Sequence, residues 1–501
     1  MTQLMEHLPI LVILFPLSAA LLNPLFGYFN TNISKKIIMT SLFLSMVCAA
    51  LQLAQIVKTG EVIHYYMGGW APPIGIEFVI DGLNGVIILL VAIISWMTAL
   101  FSSPFNKYEL EISNMRSVAY HSMLTLLAVG LLGMSSTGDA FNMYVFMEIV
   151  ALSSYGLIAI GESKGPIAAF RYLMIGTIGA SLYLLGVGFL YVATGTLNMA
   201  DMARLMPGLA DSPLIIMAVA CLIVGFGIKM ALFPLHDWQP AAYTNAHTAA
   251  APLIAGVGFK IPSYAMLRFF FCIFEETSPV MGVFFDVIGF MAILGIIYGS
   301  LKALQYDSYN KILAYSSIGQ VGYIAMGFAI GNYYGIIGAV LHIVSHTFMK
   351  AGLFYTSGAL KYKYGIKNIS QFGQLYRDNP ATALALVTCA LSMIGLPPFA
   401  GFFSKWYLAL GAIENGQYFY VAVLILSSLL GAVYFFRIIE KLFMEEKNAV
   451  EVVNESKHFE LPWQMIVIMI IITVAIIGIG LGNSFIVNNV LNTTVMEVLL
   501  S

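Results

Sequence analysis

Fourteen stretches of about twenty apolar residues, joined by short polar segments, constrain this chain more than any other feature of its sequence. About 20 helical residues cross the ~30 Å hydrocarbon core of a bilayer, where only a helix or a closed barrel satisfies every backbone polar group. The stretches fall at 8–27, 37–57, 81–102, 117–135, 139–161, 168–194, 213–235, 246–273, 280–304, 310–330, 333–360, 380–414, 417–443 and 462–483. The expected fold is therefore an all-α polytopic membrane protein of about fourteen transmembrane helices. Composition agrees, with 60% hydrophobic and only 10% charged residues, where soluble domains carry about 25% charge. A net charge of −2 offers no basic footprint for nucleic acid. The first stretch follows Glu6 and His7 rather than a basic region and precedes no small-residue cleavage site, so it reads as a span.

Charge in the joints orients the spans. Joints after odd-numbered spans hold sixteen Lys/Arg, and joints after even-numbered spans hold two, Lys58 and Arg204. The bias expects odd joints in the cytoplasm of a plasma-membrane protein and both termini outside. Residues 58–80 are too polar and too rich in Gly and Pro to span, and should form an extracytoplasmic hairpin. Residues 442–461 are charged enough for a surface connection, helical in part. The expected division is 1–116 for the first three helices and the hairpin, 117–274 and 275–445 for two helical units, and 446–501 for a cytoplasmic connection and last helix.

Five basic residues fall inside spans: Lys229, Lys260, Arg268, Lys350 and Lys405. Arg268 lies near a span end and is read as structural, snorkelling to the interface. The four lysines lie too deep for that, and each should face the bundle interior or a hydrated cavity. Glu148 is the one acidic residue in mid-span, and Lys229 is its expected partner. A structural ion pair locking two helices is the competing reading. Lysine can release its proton where arginine cannot, so four deep lysines favour proton handling.

Helix breakers and further polar groups accompany these lysines. Span seven reads FGIKMALFPLHDW, with Pro234 after Lys229; span twelve reads IGLPPFAGFFSKW, with Gly395, Pro397, Pro398 and Gly401 before Lys405. Paired interruptions in two halves point to a transport path, whereas either alone could be a packing kink. His342, His346 and Lys350 recur every four residues and share a helix face, suited to relaying protons. A metal held by the two histidines is the rival idea, but no carboxylate or cysteine accompanies them. His236, Tyr243, His247 and Thr248 are expected between Lys229 and Lys260, and Ser316, Ser317 and Gln320 are candidates to hold bridging waters. No resident cofactor or metal is expected. The four cysteines form no CxxC, no Walker motif is present, and GxG fragments lie inside spans.

These motifs resemble the antiporter-like subunits shared by Mrp cation/proton antiporters, complex I and membrane-bound hydrogenases, over nearly the whole chain. YVFMEIVALSSYGLIA is similar to the family's span-five motif, matching Glu148, and FGIKMALFPLHDW with LIAGVGFKIPSYAMLRF to spans seven and eight, matching Lys229 and Lys260. KILAYSSIGQVGY and HTFMKAGLF resemble spans ten and eleven, matching His346 and Lys350, and GLPPFAGFFSKW resembles broken span twelve, matching Lys405. The resemblance implies inverted five-helix repeats, spans 4–8 and 9–13, around a central hydrophilic axis. The chain departs from it in having PAAY at 240–243 where members commonly have PDAH, and His247 where proline is usual. Lys405 and the GGWAPPIGIEFVIDGLN segment lean toward the D-type Mrp or hydrogenase-type group. The implied function is proton translocation, with sodium exchange left open, within a multisubunit complex of other membrane subunits. Alternatives are a scaffolding or pumping subunit of a hydrogenase or NADH:quinone oxidoreductase, and a partner of an inorganic-carbon uptake system. In every case no redox chemistry is expected in this chain alone.

Overall fold

The computed structural model describes residues 5–105, 114–210, 212–373, 375–444, 460–492 and 495. Helices in chain order are α1 (Leu8–Phe29), α2 (Thr31–Thr59), α3 (Gly82–Ser102), α4 (Asn114–Ser136), α5 (Ala140–Ala159), α6 (Gly165–Thr194), α7 (Pro213–Lys229) and α8 (Trp238–Asn245). They continue as α9 (Ala251–Ile273), α10 (Pro279–Leu304), α11 (Tyr309–Ile330), α12 (Tyr333–Tyr364), α13 (Pro380–Ile394), α14 (Ala400–Glu414), α15 (Tyr418–Phe443) and α16 (Trp463–Leu481). The chain is an all-α polytopic membrane protein, and twelve of the described helices are long and apolar enough to cross a bilayer. Two further apolar helices, α7 and α13, stop short at the expected interruptions, so span twelve is two helices rather than one continuous segment. Most of the connection expected at 442–461 lies outside the described residues.

The expected hairpin is a two-stranded antiparallel ribbon, β1 (Ile63–Tyr66) and β2 (Glu77–Ile80), with Ile63 opposite Ile80 and Tyr66 opposite Glu77. Short bridges join Phe78 to Thr137 and Asp139 to Asn198, so the ribbon staples the α4–α5 and α6–α7 joints on one side of the molecule. Buried Glu77 reinforces the staple by accepting from Asn198 Nδ2 at 2.6 Å and pairing with His64 at 3.2 Å. On the opposite side Glu162 bonds Lys361 at 2.7 Å and Lys367 at 3.0 Å, tying the α5–α6 joint to the end of α12.

Burial follows the polarity of each helix. α9, α11 and α12 are enclosed almost completely, whereas α1, α2, α6 and α15 turn a broad face outward. α12 carries His342, His346 and Lys350, and lipid contact there would leave polar groups unsatisfied. α10 and α11 approach closely because Gly299 has no side chain: a Cβ there would lie 2.6 Å from the Gly319 nitrogen. Arg268 does not snorkel. It turns inward to Asp81 at 2.6 Å, and the same carboxylate caps the start of α3, because two largely buried charges are cheaper together than apart.

Candidate functional site

The two helix breaks share one local design. α7 ends in a Schellman motif, with Leu232 N–H donating to Gly227 O at 2.8 Å and Ala231 N–H to Ile228 O at 3.1 Å. α13 ends the same way, through Leu396 N–H to Leu391 O at 3.2 Å and Gly395 N–H to Ser392 O at 3.1 Å. Ala231 and Gly395 occupy the left-handed position, at φ 58 and φ 91, and a proline follows each three residues later, Pro234 and Pro398. α7 thus stops at Lys229 itself, upstream of Pro234, which was expected to be the breaker. Glycine hides nothing at 395, but alanine at 231 gives no sequence warning of a left-handed turn.

Each break exposes carbonyls, and side chains answer them. Trp238 Nε1 donates to Ile228 O at 3.2 Å across the first break. At the second, Lys405 Nζ donates to Met393 O at 3.1 Å, Ile394 O at 2.9 Å and Ser428 Oγ at 3.1 Å, placing a cation at the negative end of a helix. The same ammonium lies 5.0 Å over the Tyr323 ring. Lys260 follows a π-turn at Ile254–Gly258 and donates to the carbonyl of Ala255 inside that turn.

Lys229 pairs with Glu148 at 3.0 Å, as expected, but the partners differ in setting: Lys229 is 3% exposed and Glu148 27%. The carboxylate therefore faces the molecular surface from α5 while the amine faces inward from the end of α7. Tyr155 stands two turns along α5 from Glu148, packed edge-on to Tyr172, which stacks on Trp238 at 3.9 Å. Farther along the molecule, Lys350 Nζ donates to Leu313 O and Ser316 Oγ, both at 2.6 Å. Ser317 bonds the same carbonyl at 2.9 Å. His342 lies 5.6 Å from the His346 ring and 2.9 Å from Ser404 Oγ on α14. Both ring nitrogens of His346, together with Gln320 Oε1, have no hydrogen-bond partner among the described residues.

The polar residues expected around span eight divide into separate places. Tyr243 packs on Phe259, beside Lys260. His236 packs on Phe233 and on Tyr298 of α10. His247 and Thr248 line a polar cavity of about 260 Å³ with Glu162 and Lys361, and Lys361 Nζ donates to Thr248 Oγ1 at 2.5 Å. Sequence reading missed Tyr323, Ser404 and Ser428. A serine pair in the apolar run LILSSLLG was the available signal for the last of these.

A family profile described as "NADH:quinone oxidoreductase/Mrp antiporter, TM" matches residues 137–431. NADH-quinone oxidoreductase subunit N of Desulforudis audaxviator (strain MP104C) is 41% identical over 493 residues, 97% of this chain and 98% of that protein. The putative antiporter subunit mnhD2 of Staphylococcus aureus is 30% identical over 489 residues, 97% of this chain and 95% of that one. A chain of the membrane-bound sulfane sulfur reductase, an archaeal respiratory membrane complex, superposes with a TM-score of 0.88 at 30% identity, over 98% of this chain and 97% of that one.

Proposed function

The chain belongs to the transmembrane family shared by NADH:quinone oxidoreductases and Mrp antiporters, and on that footing we propose that it carries protons across the plasma membrane as one subunit of a hetero-oligomeric complex. One observation carries the proposal: a buried amine, Lys229, paired at 3.0 Å with a carboxylate that reaches the molecular surface. A neighbouring subunit that draws Glu148 away would make Lys229 release its proton, and one that lets it return would make Lys229 take one up. Lys260, Lys350 and Lys405 are the next stations, with His346 and His342 between them. A buried imidazole with no partner among the described residues is stable where water reaches it, which supports a hydrated passage at His346.

The matching breaks at Ala231 and Gly395, each followed by proline at the third residue, support the reading of spans 4–8 and 9–13 as repeats within fourteen spans. The hairpin side is the extracytoplasmic side, with both termini there, because the basic joints lie opposite. The relative named NADH-quinone oxidoreductase subunit N is more similar than the named antiporter subunit, which favours a second reading in which a redox complex supplies the driving force. Sodium exchange is the further function of the Mrp-type reading.

The test is Glu148→Gln and Lys229→Ala in the intact complex, reconstituted in vesicles with a pH-sensitive dye. Both variants should assemble and lose proton transport by at least about tenfold, because each removes one half of the pair through which a proton is taken up and released. Transport at the normal rate in both would refute the role. A complex containing iron–sulfur or hydrogenase subunits by mass spectrometry would select the redox reading, and one containing only antiporter subunits the exchange reading.

A further inference from the structure

We infer that the hairpin-side ends of α7 and α10 form a binding site for one phospholipid with an amine headgroup. A groove of about 360 Å³ lies between the two helices. Its α7 wall presents Ile216, Ala220 and Ile223, and its α10 wall Val280, Val283 and Val287. Spacings of three and four place each set on one helix face, a stripe about 10 Å long at 1.5 Å per residue. Ile216 is 55% and Val283 58% exposed, so the groove opens sideways to hydrocarbon and not toward the lysine axis.

A second cavity, of about 260 Å³, continues from the end of the groove, and Ala210 and Pro279 line both. This one is mixed in character, with Glu275, Thr277 and Ser278 of the joint between α9 and α10 facing Met206, Pro207 and Phe274. A short apolar slot that runs into a half-polar chamber at the helix ends has the outline of a single lipid, acyl chain in the slot and headgroup in the chamber. The chamber chooses the headgroup. Among the described residues Glu275 is its only charged lining residue, and Arg204, two positions before the lining Met206, is engaged with Asp201 at 2.5 Å. Basic pockets hold anionic headgroups; a carboxylate alone repels them and pairs with an ammonium. Phosphatidylethanolamine fits, and phosphatidylglycerol does not. Neither cavity contains a residue of the proposed proton path, so the site stands independently of that path.

Native mass spectrometry of the purified complex, offered palmitoyl-oleoyl phosphatidylethanolamine or phosphatidylglycerol at equal concentration, tests this. The ethanolamine lipid should be retained at one copy per chain, preferred by up to about fivefold, the range of a single solvent-exposed ion pair. Glu275→Gln should remove the preference, and Ala220→Trp, which fills the groove from its lipid-facing wall, should remove retention of either lipid. Proton transport by Ala220→Trp serves as the folding control. Equal retention of both lipids by the unaltered protein, or no retention, or retention unchanged in Ala220→Trp, overturns the site.

Discussion

An isolated ammonium at the centre of a bilayer costs about 3 kcal/mol on the insertion scale, and the four lysines offset that cost in four different ways. Lys229 uses a carboxylate, Lys260 a carbonyl of a π-turn, Lys350 a carbonyl and a hydroxyl, and Lys405 two carbonyls freed by a broken helix. Only the first can be tuned by moving a charge, which is why we propose the pair as the control point. Lys229→Arg keeps the ion pair yet cannot give up a proton, so it should assemble with near-normal stability while proton flux in vesicles falls to background. Ser316→Ala removes one of the two bonds to Lys350, worth about 1 kcal/mol, and should slow transport several-fold without altering assembly. Arg268→Leu leaves Asp81 buried without its cation. Thermal unfolding in detergent should show a loss of about 3 kcal/mol or more, with much of it recovered in the Arg268→Leu, Asp81→Asn pair.

At the scale of the element, the decisive features are two apolar helices, α7 and α13, that stop short of a full span. Gly395 cannot be replaced quietly. Its φ of 91 is strained for any side chain, and a Cβ there would stand 3.0 Å from Lys405 Cδ. Gly395→Ala should therefore displace the lysine from its carbonyls and reduce transport more than it reduces stability, a difference measurable by comparing vesicle flux with the melting temperature of the same preparation. Ala231 sits in the same turn with less penalty than a branched residue. Ala231→Gly should match or exceed the parent in stability, and Ala231→Val should lose about 1–2 kcal/mol.

For the whole molecule, the two faces are held by different chemistry: a β-ribbon on one, and Glu162 with Lys361 and Lys367 on the other. Burial raises the Glu162 pKa, but the hydrogen bonds and charges of the two lysines outweigh it and bring it below the ordinary value. A carboxylate depressed in the folded state stabilises fully above its unfolded pKa of about 4.3 and loses that contribution as pH falls through the folded value. The stability difference between the parent and Glu162→Gln should thus be flat from about pH 6 to 8, on the order of 1 kcal/mol, start to fall as the pH drops to about 4.3, and vanish only below the depressed folded-state pKa. Melting curves across that range check it.

The apolar runs, the charge asymmetry of the joints and the position of every deep lysine were legible in the chain itself, since lipid tolerates so few alternatives for backbone and charge. The partnership of Glu148 with Lys229 was legible too, because a lone mid-span carboxylate has few candidates. What each remaining amine touches was not. Lys350 meets Ser316 from 34 residues away and Lys405 meets Ser428 on the following helix, contacts set by how helices pack rather than by any local spacing. The same holds for Arg268, whose inward turn depends on Asp81 being brought to it by α3. His247 and Thr248 stand side by side in a motif expected near the axis, yet the fold places them at a polar cavity beside Glu162. The sequence thus determined which groups must be sheltered from lipid and that Glu148 shelters Lys229, and the tertiary structure alone decided the other partnerships, because those depend on distances between helices that no linear pattern records.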